Sequence, residues 1–169
     1  MLKLSAAILF ILSLTFLSCD RVKQKGHNVV KSTKEIAANQ VDKAFPSYNA
    51  GSPDTKHNKK RFEEHLQVKQ TPDVSNIYAY GDFIGADYKV LIAFSCDSST
   101  IRNIIQRKGM KPTEAKDDDG LFFSGEFEWW NKDQIEILEP YKVGKEGEWW
   151  QYLWYNPKTK QAWYEEFSL

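Results

Sequence analysis

Residues Tyr88 to Gly109, YKVLIAFSCDSSTIRNIIQRKG, decide the fold. In the first eight, Tyr88, Val90, Ile92 and Phe94 alternate with Lys89, Leu91, Ala93 and Ser95, the period of two of a β-strand. Both sets are mostly apolar, which marks a central strand covered on both faces. Asp97-Ser98-Ser99 then supplies helix-capping residue types. Ile101, Ile104, Ile105 and Lys108 follow at helical spacing, and Gly109 is a natural stop. A strand feeding straight into a helix with one apolar stripe requires a sheet for that stripe to lie on.

Working outward, Ile77 to Tyr80 reads as the preceding strand, joined to Tyr88–Ser95 by a hairpin connection over Gly81–Asp87. After the helix, Lys111 to Gly120 reads as a polar loop and Leu121 to Trp130 as a third strand, with Gly125 at a bulge. Asn131 to Glu139 fits a short helix or a strand. Glu148–Tyr155 and Gln161–Phe167 form a last hairpin around Asn156-Pro157-Lys158-Thr159. Proline presets φ at its second position, and Asn156 can bond the backbone two residues on. The expected fold is α+β: an antiparallel sheet of five to six strands with one main helix packed on a face. A short helix over Lys60–Val68, carrying Phe62, His65 and Leu66, is expected at the edge of this domain, residues 61–169. Residues 19–60 are polar and turn-rich and read as a flexible tether with a reach of about 30–35 Å.

The chain begins MLKLSAAILFILSLTFLSC: Lys3 gives a positive start, and Leu4–Leu17 an apolar run ending in Ser18-Cys19. Those 14 residues would span about 21 Å as a helix, short of the roughly 30 Å core of a bilayer. An ordinary secretory cut wants small residues one and three positions back, and Phe16 or Leu17 falls at the third. Phe16-Leu17-Ser18-Cys19 instead resembles the end of a bacterial lipoprotein signal, in which the cysteine is lipidated and becomes the first mature residue. Ser18 and Cys19 fit that pattern; Phe16 and Leu17 depart from its usual residues. The resemblance implies a signal peptide over residues 1–18, lipid attachment at Cys19 and an extracytoplasmic location on a membrane, inner or outer.

Charge and cysteines narrow the function classes. The chain carries 23 basic and 23 acidic residues, so it has no general electrostatic pull toward nucleic acid. With Cys19 lipidated, the second cysteine, Cys96, has no partner for a disulfide, and the core must hold by packing. Six Trp, eight Tyr and ten Phe supply the large apolar surfaces for it.

Candidate chemistry is sparse. His27, His57 and His65 all precede or open the expected domain and read as solvated, which argues against a Ser-His-Asp, Cys-His or histidine-zinc arrangement within it. Cys96 sits at a helix start, where the dipole can lower a thiol pKa, but has no base nearby and reads as structural. Asp117-Asp118-Asp119-Gly120 with Glu126 resembles a helix-loop-helix calcium loop but places Ala115 at its obligatory first carboxylate, so it reads as a solvated turn. Carboxylate pairs occur at Glu126/Glu128 and Glu165/Glu166 without any other catalytic signature. The aromatic set is the richest signal: Trp129, Trp130, Trp149, Trp150, Tyr152, Trp154, Trp163 and Tyr164. Adjacent strand residues face opposite ways, so each Trp-Trp pair is expected to put one ring outward, onto a possible binding platform for a protein, peptide or glycan. The function expected is a lipid-anchored envelope binding domain needing no cofactor or metal. The alternatives are a carboxylate-using hydrolase or transferase, or a purely structural envelope component.

Overall fold

The computed structural model describes residues 40–42, 46–84, 87–114 and 127–168. The leader, Cys19 and the Asp117–Glu126 turn lie outside them. The chain divides into two units, Met1–Pro46 and Ser47–Leu169, and the second holds an α+β fold. The expected boundary at 60/61 falls inside a helix, and the stretch from Ser47 onward belongs to this unit.

Its elements run α1 (Lys56–Leu66), β1 (Ser75–Ile84), β2 (Asp87–Ser95), α2 (Ser98–Lys108), β3 (Lys111–Pro112), α3 (Lys132–Ile135), β4 (Tyr141–Lys145), β5 (Trp149–Asn156) and β6 (Gln161–Ser168). The strands make one antiparallel sheet in the order β1-β2-β6-β5-β4-β3. β2 and β6 are therefore central, as the two-sided apolar pattern of β2 requires. Gly81–Ile84 continue β1 rather than forming a long connection, with Ile84 paired to Asp87. β4 has no counterpart among the expected strands. Of the expected third strand, residues 127–130 form a turn, closed by Trp130 N–H on the Phe127 carbonyl at 2.9 Å.

One face carries the helices. Phe62 and Leu66 of α1, Ile101 and Ile104 of α2, and Val90, Ile92 and Phe94 of β2 form a single buried cluster. Helix α1 thus shares the core instead of lying at its edge, and Phe62 meets Phe94 edge-on at 4.9 Å. Gly109 ends α2 at φ 67°, the left-handed stop expected of it. Asp97 occupies the N-cap without a side-chain capping bond. Asp73 ties this helix start down, accepting from Asp97 N–H at 2.9 Å and the Thr100 hydroxyl at 2.8 Å. Bonds from Thr71, Asp97 and Thr100 hold the Asp73 carboxyl down at about 2. The opposite face packs Leu91, Ala93, Tyr152, Trp154 and Trp163 against Trp130 and Ile135 from the 127–138 segment.

Asn58, fully buried in α1, ties the entering segment down: its amide nitrogen lies 2.9 Å from the carbonyls of Asn49, Ser52 and Ile77. Asp54 accepts from the N–H groups of Asn76 and Ile77 (3.0 and 3.1 Å) and donates its own N–H to the Ile77 carbonyl at 2.9 Å. Tyr48 lies flat on Gly81, where an added Cβ would sit 2.5 Å from the ring. Gly81→Ala must therefore displace Tyr48. We expect a loss of about 1–3 kcal/mol of stability in urea unfolding, with hydrogen-exchange protection lost first over residues 47–55.

Candidate functional site

β6 alternates strictly, and its two adjacent glutamates go to opposite faces. Glu166 faces the helices. It accepts from the Tyr88 hydroxyl at 2.7 Å and the Tyr164 hydroxyl at 2.7 Å, and His65 Nδ1 lies 3.1 Å from its Oε2. The Tyr48 hydroxyl lies 3.0 Å from His65 Nε2, completing a chain from the entry segment through α1 to the sheet. Burial alone would raise the Glu166 carboxyl, but its bonds from His65 and the two tyrosines outweigh that and hold it down at about 2. His65, expected to be solvated, is instead mostly enclosed, with 19% of its side chain exposed. The helical spacing that aligns it with Phe62 and Leu66 was the available signal.

A Tyr-His-Glu chain has the connectivity of a nucleophile, base and orienting acid. Its chemistry does not follow. Burial pushes the Tyr48 hydroxyl up to about 12, so it stays a protonated phenol and not an activated nucleophile. Cys96, 2% exposed, is likewise driven up by burial and by Asp73 and Asp97, to about 12. The lowering that a helix start can give loses to desolvation.

Glu165 faces the other way, onto the aromatic side of the sheet, and is fully buried. Lys89 Nζ lies 2.9 Å from its Oε1, close enough for strong attraction but poorly directed for a hydrogen bond. Burial outweighs Lys89 and raises this carboxyl to about 7. The two glutamates therefore cannot act together on one substrate, and Glu126 lies outside the described residues. No group of three His, Cys, Asp or Glu among the described residues is placed to hold a metal ion.

The expected outward platform is corrected by burial. Trp130, Tyr152, Trp154, Trp163 and Tyr164 are each 3% exposed or less. Tyr164 faces the helices, while Tyr152, Trp154 and Trp163 face the other way and are covered by the 127–138 segment, which supplies Trp130. Trp149 and Trp150 are half-buried at the far end of β5. There the Trp150 ring packs over Gly144, where a Cβ would lie 2.3 Å away, and Lys142 Nζ stands 3.8 Å above it.

Trp129 is half-buried and lines an open cleft, together with the buried Trp163. The Trp129 indole N–H donates to the Ala50 carbonyl at 2.8 Å, and its own carbonyl accepts from the Trp163 indole at 2.9 Å. Its ring stacks on Tyr78 at 5.6 Å and 13°, and on Phe127 at 4.9 Å and 7°. Together Tyr78 and Trp129 wall a cleft of about 300 Å³ at the end of the sheet where β1, β2 and β6 meet, and Asn76, Ser95, Gln161 and Glu128 give it polar groups. Asn76 stands at a register irregularity in β1 with φ 54°, a left-handed conformation, and its amide reaches Ser95 Oγ at 3.3 Å. Bulges of this kind re-aim a side chain and gather next to functional sites. Tyr78, Asn76, Ser95 and Gln161 were not read as site residues in the sequence, because register, not composition, brings them together.

Comparison with protein-family models, curated proteins and solved structures finds no match to this chain.

Proposed function

We propose that the protein is a bacterial envelope lipoprotein, attached to a membrane by lipid on Cys19, whose α+β domain binds a ligand in the Tyr78–Trp129 cleft. The observation that carries the binding reading is that cleft: an aromatic wall with four polar side chains at its margin, the mix found in ligand sites. The raised Tyr48 and Cys96 support binding over covalent catalysis. The lipid anchor rests on the Ser18-Cys19 leader alone.

Each half has its own test. Cys19→Ser should release the protein into the soluble envelope fraction or leave an unprocessed precursor, seen by fractionation and mass; normal processing with unchanged membrane attachment would end the lipoprotein reading. For the cleft, envelope extract separated into glycan, peptide and protein fractions is titrated against the labelled chain. At least one fraction should shift the Trp129 indole resonance saturably; silence from all of them rejects the binding site.

A further inference from the structure

Resting on the cleft reading above, we infer that the ligand class is a neutral saccharide of one or two rings, bound against Tyr78 and Trp129 with its hydroxyls on Asn76, Gln161 and Glu128. A sugar ring has an apolar C–H face and a rim of hydroxyls that both donate and accept. The cleft offers the matching parts. Tyr78 and Trp129 line the cleft as a stacked pair 13° from parallel, with Phe127 stacked on Trp129 in turn, so the apolar contact offered to the sugar is the open side of this aromatic stack. Aromatic rings give large contact at little entropic cost, and Tyr and Trp suit sites that are apolar at one end and wet at the other.

The polar margin selects hydroxyls. Asn76 and Gln161 carry amides that donate and accept, and Ser95 carries a hydroxyl, while Glu128 accepts only. Gln161 and Glu128 are exposed and hold no side-chain bond to another described residue, so a ligand need displace only water from them. Asn76 is set toward Ser95 by its left-handed backbone, fixing part of the rim before any ligand arrives. A pre-formed site lowers the ordering cost of binding.

Charge and size exclude neighbouring classes. The lining has one charged side chain, Glu128, and no cation to meet a phosphate, sulfate or uronic acid. At about 300 Å³ the cleft is at the small end of ligand sites, matching one or two rings. A peptide adding as a strand would need the outward N–H and C=O of β1 beside the cleft. At Ile77 both are taken by Asp54.

The test uses the full lipidated chain, isotope-labelled, in a sugar-free phosphocholine detergent. Glucose, N-acetylglucosamine and their β-linked disaccharides are titrated to about 50 mM, enough to saturate a site of about 1 mM affinity. The expected result is saturable shifts at the Trp129 and Trp163 indole signals and the Asn76 and Gln161 amide signals, with Trp149 and Trp150 unmoved. Gln161→Ala should weaken binding about 3- to 10-fold, the loss of one or two hydrogen bonds. Glucuronate should bind more weakly than glucose, and Glu128→Gln should remove that difference, which a merely structural role for Glu128 would not do. Absence of saturable shifts with all four sugars overturns the inference. If a tetrapeptide of alanine and lysine moves the same signals while the sugars do not, the saccharide class is wrong and the cleft still binds.

Discussion

Replacing Glu166 with leucine should destabilise the domain by about 3–5 kcal/mol, the scale for removing one member of a buried charged network. The carboxylate is the shared acceptor for Tyr88, Tyr164 and His65, and only 12% of its side chain is exposed. Leucine leaves Tyr88 and His65 without this acceptor and Tyr164 with only the His65 carbonyl at 3.4 Å, and each unpaired group costs about 1–3 kcal/mol when it stays dry. Glu166→Gln keeps one accepting oxygen and should lose less than half as much. Urea unfolding reads both, with the midpoint falling and the slope unchanged. Acid should reproduce part of the effect. The folded carboxyl sits at about 2 against an ordinary 4.5, so its stabilisation is complete above about 4.5 and drains away as pH falls toward 2. A difference of that size corresponds to about 3 kcal/mol.

Glu165, one residue earlier, should give the opposite slope. Its folded carboxyl lies at about 7 against an ordinary 4.5, so the folded state holds a proton that the unfolded chain has released. That stabilisation is complete below about 4.5 and is lost as pH rises from there to about 7, again by about 3 kcal/mol before Lys89 is allowed to relax. Stability measured from pH 4.5 to 8 should therefore fall in the wild-type chain and run nearly flat in Glu165→Gln. A wild-type profile already flat over that range would show that Lys89 keeps Glu165 ionised. Glu165→Met should raise stability at pH 8, since replacing an imperfectly paired buried ion by an apolar residue is commonly neutral or favourable.

The central strand, the main helix with its Gly109 stop and the last hairpin were all legible, because each is written in local periodicity and turn chemistry. Asn156 accepts from Lys158 and Thr159 N–H as its turn position predicts. What sequence could not show is set by register and long-range contact. His65 meets Glu166 across 101 positions, and nothing local to either announces it. β4 alternates Lys142 and Gly144 with Tyr141 and Val143, a weak apolar signal that becomes a strand only against β5. Among the expected platform residues, alternation correctly sent Trp163 and Tyr164 to opposite faces, but Trp129 and Trp130 lie in a turn and pack with the same cluster. Alternation carried no information that Trp130, Ile135 and Leu138, spaced irregularly in a turn and one short helix, would cover the second face.

Asp54 also bears on how the protein behaves when crowded. An open sheet has two outer strands whose unpaired backbone groups can recruit another chain. On the β1 side, Asp54 already saturates Asn76 N–H and both groups of Ile77. On the far side, β3 is two residues long and ends in Pro112, which has no N–H to offer. One aspartate thus occupies the Asn76–Ile77 end of the β1 margin and one proline limits the β3 margin, and Asp54→Ala should increase self-association with rising concentration.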